Sequence, residues 1–461
     1  MTSNELTIEL KQHTPIIHFQ HKQSGATLRG TELKPKLDKF LKKYAFDNKI
    51  EDYKIYLIGY DKEKEENEIK KEKQDEYLKK IENNAFDYRV KIKVSRENNT
   101  YDISKNPFNK LFFGNSGFGN RDKYKFKMYN EIELKIFSFH TELVECIQEN
   151  IESFFAIKNF GARQNKGFGS FTVKKINGTD KNTDFNELYK KLLEKEKKFE
   201  LNEKNRSKIV AIYKYPKFND MDEAVRQIAY DYKYLKSGLT EADFNLRNDE
   251  KDELQDTIDI FKKHYKEPEK SEVYKKSLLM KYYNKKKIHW EKRFIKCSLK
   301  EAYNKKTSNS ENLYDNLECR KENKKLYDNC SEKERTYRFI RPLLGLGTGF
   351  NFKNKNKSSG NFTVIRSYNL SKNPIERYQS PIYYKVIDNM PYMICYETNA
   401  FKNVQRYSFK PSLNKKDKYA NLKLDKISDL EVPSDFNIKE FLEQSMEELD
   451  YKPVGVNNDG N

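Results

Sequence analysis

Residues 159–173, NFGARQNKGFGSFTV, constrain the fold more than any other stretch. Three glycines (Gly161, Gly167, Gly169) and two cations (Arg163, Lys166) stand between a helix-patterned run, 141–157, and a strand-patterned run, 171–176. Glycine admits positive φ and lets a backbone approach its neighbour closely. Successive N–H groups in such a bend form an anion-binding concavity, and Arg163 and Lys166 add formal charge to it. A phosphate backbone is the guest this chemistry suits. An ordinary hairpin or a helix-terminating turn has the same pattern, so the setting has to decide.

The setting is basic. Among 461 residues, 90 Lys and Arg stand against 71 Asp and Glu, a net charge of +19. With 36% hydrophobic residues, the chain is poorer in apolar groups than most globular proteins. Its 32 Tyr and 30 Phe nevertheless exclude a disordered polycation, which lacks aromatic residues. Positive charge with aromatics suits a partner that offers phosphates and stackable bases. A lysine-rich genome would produce the same charge without any such partner. Cys146, Cys297, Cys319, Cys330 and Cys395 form no C-x-x-C pair and no zinc spacing. That usage fits a reducing compartment, so a cytoplasmic location is expected. Neither a signal-peptide pattern at the N-terminus nor an 18-residue apolar run is present, so no membrane association is expected.

Periodicity gives the element order. Leu6, Ile8 and Leu10 alternate with polar residues, predicting a strand with one buried face. A turn-rich stretch at 24–30 follows, then a helix from Thr31 with Leu33, Leu37, Phe40 and Leu41 on one face. Runs 53–59, 88–94 and 131–139 read as strands, 62–80 as a solvated helix, and 114–119 as a second Gly-rich loop. Residues 1–180 thus read β–loop–α–β–β–β–α–Gly loop–β, an α+β order close to a ferredoxin-like unit with insertions. Residues 181–335 are Lys-, Glu-, Asn- and Tyr-rich with helical spacing; their clearest helix begins near Asp220 and stops at Gly238. Strands are expected at 362–365, 382–387 and 392–396, and a helix at 438–449.

Three clusters place cations beside small residues. Arg29-Gly30, with Lys34 and Lys36, precedes a helix start whose N–H groups face the same way, a potential anion site or simply a solvated turn. The second is the 159–171 loop. The third is Glu376-Arg377-Tyr378-Gln379-Ser380-Pro381, where Arg377 either meets phosphate or pairs with a local carboxylate such as Glu376. His18 and His21 raise an enzymatic alternative, because metal-free RNA cleavage needs a base for the 2′-OH and an acid for the leaving oxygen. On a strand, the two would face opposite sides. No H-E-x-x-H, Walker-type loop or acidic metal cluster is apparent, so no metal or other cofactor is expected.

Gly161-Ala162-Arg163-Gln164-Asn165-Lys166-Gly167-Phe168-Gly169-Ser170 resembles the Gly-rich signature of RAMP-superfamily proteins of CRISPR systems. Thr14-Pro15 followed by Leu28-Arg29-Gly30-Thr31-Glu32-Leu33-Lys34 is similar to the N-terminal pattern of that family. Arg377-Tyr378-Gln379-Ser380-Pro381-Ile382 resembles its Arg-x-x-Ser-Pro element. The order looks most like the tandem-RAMP subunit at the crRNA 3′ end of type III-B (Cmr) effector complexes. The resemblance implies two ferredoxin-like (RRM/RAMP) domains with a helical insertion. The expected divisions are 1–180 for the first domain, 181–335 for the insertion, 336–432 for a second RAMP-like β-rich region, and 433–461 for a final helix and tail. It further implies contact with crRNA or target RNA near its 3′ end, other effector subunits as partners, and no catalytic role. RNA contact is carried onto Arg29, Lys34, Arg163, Lys166 and Arg377, with Gly30, Gly161, Gly167 and Gly169 shaping the site. The alternatives are a metal-independent RNA-processing endoribonuclease of the same superfamily using His18 or His21, and a scaffold that binds no RNA. Processing RAMP enzymes usually carry their Gly-rich loop near the C-terminus, whereas here it is central.

Overall fold

The computed structural model describes residues 4–16, 27–67, 71–95, 98–102, 125–202, 207–240, 274–291, 294–295, 298, 336–347, 349–352, 362–369, 375–412 and 427–455. His18, His21 and the 114–119 loop lie outside these residues. The chain divides into two compact units, one of residues 1–229, 382–396 and 450–461, the other of 230–381 and 397–449.

The first unit begins with β1 (Glu5–Gln12), whose Leu6, Ile8 and Leu10 are buried while Thr7 and Glu9 are not. Helix α1 (Gly30–Tyr44) follows and buries Leu33, Leu37, Phe40, Leu41 and Tyr44. Pro35 is the sixth residue of α1, inside the helix and past the first turn where a missing N–H costs least. Then come β2 (Arg89–Val94), β3 (Ile132–Phe137), α2 (Thr141–Ile157) and β4 (Phe171–Ile176). The sheet runs β2-β3-β1-β4, extended by the short strand Thr179–Asp180. The β1–β3, β1–β4 and β2–β3 pairs are antiparallel. A β-α-β-β-α-β chain with strand order 2-3-1-4 is ferredoxin-like, as the element order predicts. Phe40 of α1, Phe154 of α2, Phe160 and Phe171 stack edge to face through its core, with centroids 5.5–6.0 Å apart.

A second sheet repeats that connectivity. After α3 (Phe185–Lys197), β5 (Ser207–Lys214) leads into α4 (Met221–Lys236). The pattern resumes with β6 (Ile382–Ile387), β7 (Met390–Thr398), α5 (Ile438–Ser445) and β8 (Lys452–Pro453). Strand order is β6-β7-β5-β8, again second, third, first, fourth. The sequence reading assigns 207–236 to a helical insertion, but by sheet membership these residues open the second ferredoxin-like pattern. Interruptions fall between α4 and β6 and again between β7 and α5.

In the other unit, strands Gly349–Phe352, Phe362–Asn369, Gln405–Ser412 and Ile427–Val432 form an antiparallel meander. Helix Leu278–Lys285 packs on α5 there, Tyr282 donating to Glu440 at 2.8 Å. The strand expected at 53–59 is instead helical, with Ile50–Tyr53 followed by a 3₁₀ turn, Lys54–Tyr56. The reason is spacing. Tyr53 and Leu57, four apart, are buried while Ile55 between them is exposed. Among the described residues no helix is long and apolar enough to cross a membrane.

The β6–β7 turn is locked to the first sheet. Asp388 and Asn389 have φ of 48° and 65°, the positive pair that a two-residue hairpin favours. The Asp388 N–H donates to Nδ1 of buried His13 at 3.1 Å, and Nε2 lies 2.7 Å from Thr172 Oγ1. A donor at Nδ1 assigns the ring proton to Nε2. Burial holds the His13 pKa below the ordinary histidine value, the carboxylate of Asp388 only partly opposing it. The unfolded chain therefore takes up this proton first, and stability falls as pH drops below about 6.5. Thermal melting between pH 7 and pH 5 should show a loss of up to about 1.4 kcal/mol per pH unit from this group. His13→Gln should lessen that slope.

Candidate nucleic-acid interface

The glycine-rich loop leaves α2 at Lys158, whose N–H closes the helix on Phe154 O at 3.1 Å. Asn159 and Ser170 then bridge antiparallel, so residues 160–169 form a closed excursion. Phe160 drops its ring into the core and its N–H donates to Gly169 O at 3.0 Å. Thr14 braces the return: its hydroxyl donates to Gly167 O at 2.7 Å and accepts from Ser170 N at 2.9 Å. On the far side the loop joins β6. Lys166 and Tyr384 pair as a parallel bridge, Tyr384 N–H donates to Asn165 O at 3.2 Å, and Asn159 Nδ2 donates to Tyr384 O at 2.8 Å. Lys385 of β6 is fully buried; its amine donates to Lys158 O and Phe171 O, both at 2.9 Å, and burial pulls its pKa well down.

This geometry corrects the expectation of bare N–H groups. Gly161 N–H donates to both carboxylate oxygens of Glu32 at 3.0 Å, so the anion it meets comes from α1. Gly167 N–H goes to Gln164 O and Gly169 N–H to Pro15 O. The glycines are required by packing. Gly169 has φ 67°, and a Cβ there would lie 1.9 Å from the Phe160 carbonyl oxygen. Gly167 has φ 86°, and a Cβ would press on Ile228 and Val386 at 3.0 and 3.2 Å.

The loop's cations sit on this rigid frame. Arg163 and Lys166 are half-buried, and Arg163 itself has φ 58°. Burial, helped by the nearby Arg163, lowers the Lys166 amine to about 8. Arg29 is the N-cap of α1, adjoining Gly30, and its carbonyl accepts from Glu32 and Leu33. Lys34 turns inward, donating to Phe86 O at 2.5 Å and lying 3.5 Å over the Tyr88 ring. Arg377 is exposed and belongs to the other unit.

Sequence reasoning named Lys36 but missed the basic row to which it belongs. Lys36, Lys39 and Lys43 recur along α1 at spacings of three and four, the spacing of one helix face. Lys36 donates to Glu32, Asn159 O and Gln164 at 2.7–2.9 Å, clamping the loop. Lys43 grips the buried Glu196 of α3 with 2.9 Å contacts to both oxygens. Among the described residues no group of His, Cys, Asp or Glu could hold a metal.

Two family profiles match this sequence, the Cmr1 N-terminal domain over residues 3–239 and the Cmr1 C-terminal domain over residues 274–457. The chain belongs to the Cmr1 family. The RAMP resemblance of the loop, the N-terminal pattern and the tandem order points the same way. No curated relative matches the sequence. Among solved structures, apo Cmr1 from Pyrococcus furiosus is similar over 58% of this chain and 78% of that one, at 11% identity and a TM-score of 0.33. A chain of the type III-B Cmr-beta complex bound to cognate target RNA and AMPPnP, in the presence of ssDNA, is similar over 90% and 96%, at 11% and 0.35. One of Cmr-beta bound to cognate target RNA is similar over 50% and 73%, at 13% and 0.30.

Loop packing in this Cmr1-family chain separates strain from overlap. Gly169→Ala should cost about 3–5 kcal/mol, combining left-handed strain with overpacking. Gly178→Ala, at φ 80° but with nothing within 4 Å, should cost only about 1–2 kcal/mol. Denaturant titration of both variants measures the difference.

Proposed function

We propose that this chain is an RNA-binding subunit of a type III-B CRISPR effector ribonucleoprotein, contacting crRNA or target RNA near its 3′ end beside other effector subunits. Membership of the Cmr1 family and the net charge of +19 support the reading. The observation that carries it is the Arg163–Lys166 pair, two cations held together on a loop braced by β6 and Thr14. A rigid cation loses little freedom on meeting a phosphate. In this reading Arg29 and Arg377 add phosphate contacts, Lys34, expected to do so from the sequence, is instead spent on Phe86 O and the Tyr88 ring, and Gly30, Gly161, Gly167 and Gly169 keep the backbone shape that presents the cations.

The role is binding, with the chemistry left to other subunits. Purified protein incubated with repeat RNA in the absence of metal should leave the RNA intact, as read on a denaturing gel; cleavage lost in His18→Ala would establish the endoribonuclease instead. Arg163→Ala with Lys166→Ala should weaken single-stranded RNA binding and lower the slope of log affinity against log salt by about 1.4, two contacts' worth. An unchanged slope removes this loop from the interface.

A further inference from the structure

The basic group behind the loop contains charge that the fold leaves uncompensated. Lys36 has Glu32 and Lys43 has Glu196. Among the described residues, neither Lys39 nor Lys158 has an ion-pair partner. Lys39 is exposed and unpaired on the same face of α1. Lys158 is half-buried, with its amine 6.0 Å from the Tyr396 ring. Its backbone is fixed on both sides, the N–H closing α2 and the carbonyl held by Lys385. The C-terminal end of α2 offsets its charge in part, since carbonyls there carry about half a negative charge.

A half-buried ammonium crowded by like charge is costly unless an anion joins it. We infer that Lys158 and Lys39, flanked by Lys36, Lys43 and the Tyr396 ring, form a phosphodiester-binding subsite for the RNA strand. The inference deepens the RNA-binding reading and rests on it. It places one backbone phosphate at residues outside the glycine-rich loop, where neither the loop signature nor the N-terminal pattern points.

The subsite has a titration signature. Burial, with Lys39, Lys43 and Lys36 adding repulsion and Glu196 opposing them, lowers the Lys158 amine to about 8. Burial, with Glu196 and Cys395 adding to it, pushes the Tyr396 hydroxyl above its ordinary value, so it stays neutral there. A phosphate stabilises the charged amine. Affinity should therefore fall as pH rises through about 8, where the free protein has lost a proton that the complex retains. Lys166 titrates in the same range, so the test uses a Lys166→Arg parent.

Single-stranded RNA affinity is measured by fluorescence anisotropy at constant ionic strength between pH 6.5 and 9.5. The parent should weaken through this range. Adding Lys158→Arg should keep the pH 7 affinity and abolish the weakening. Adding Lys158→Met should lose affinity roughly three- to tenfold at pH 7 with the melting temperature intact. The subsite is overturned if the parent binds RNA without pH dependence, or if the pH dependence survives Lys158→Arg. A Lys158→Met protein that binds as tightly as its parent also overturns it. A parent that binds no RNA at any pH overturns the RNA-binding reading together with the subsite.

Discussion

The backbone pairing of Lys166 with Tyr384 is the contact on which the first unit's architecture depends. It joins a loop of one ferredoxin-like sheet to the edge strand of another, and little in the loop could hold its shape alone. Three left-handed glycines and a left-handed Arg163 leave the segment few internal hydrogen bonds. The loop polar groups that are buried need partners from elsewhere. Thr14, Lys385 and β6 carbonyls supply them: Ser170 donates to Val386 O and Asn159 to Tyr384 O. Polar groups satisfied this closely make the bend a single rigid shape.

Periodicity made most elements legible where one face is buried. β1 and α1 follow the spacing of their apolar residues, and β6, apolar except for Lys385, reads as a strand from its length. Lys385 is an exception inside a legible strand, a charged residue that the pattern places in the core without saying why. The second ferredoxin-like pattern was harder to see. β5 sits in a Lys- and Glu-rich region, and its neighbour in the sheet, β7, begins at residue 390. No local period reports a pairing over that distance. The 53–57 stretch shows the opposite limit, a short apolar run that fits either period until burial chooses between them.

At the site, the glycines announced an unusual backbone but not its cause. The contact between Gly161 and Glu32 spans 129 positions in the chain, and nothing in either segment names the other. The lysines of α1 were similarly ambiguous. Lys34 and Lys42 end on backbone carbonyls of Phe86, Glu82 and Asn84, capping the chain that leads into β2. Lys36 and Lys43 point the other way, toward the loop and α3, with the exposed Lys39 between them in the same row. Helical spacing separates these two sets, but only their neighbours show what each lysine holds.

The long interruption between α4 and β6 also has a consequence in time. A ribosome completes Phe171 well before it reaches Ile387, at usual synthesis rates roughly 10–40 s earlier. The first sheet is then already outside the exit tunnel while the strand that latches its glycine bend has yet to be made. For that interval the nascent bend has Thr14 and Lys36 to hold it but no β6. Its final form is therefore a late event in the life of each molecule, and any phosphate contact that needs the rigid bend waits for the same strand.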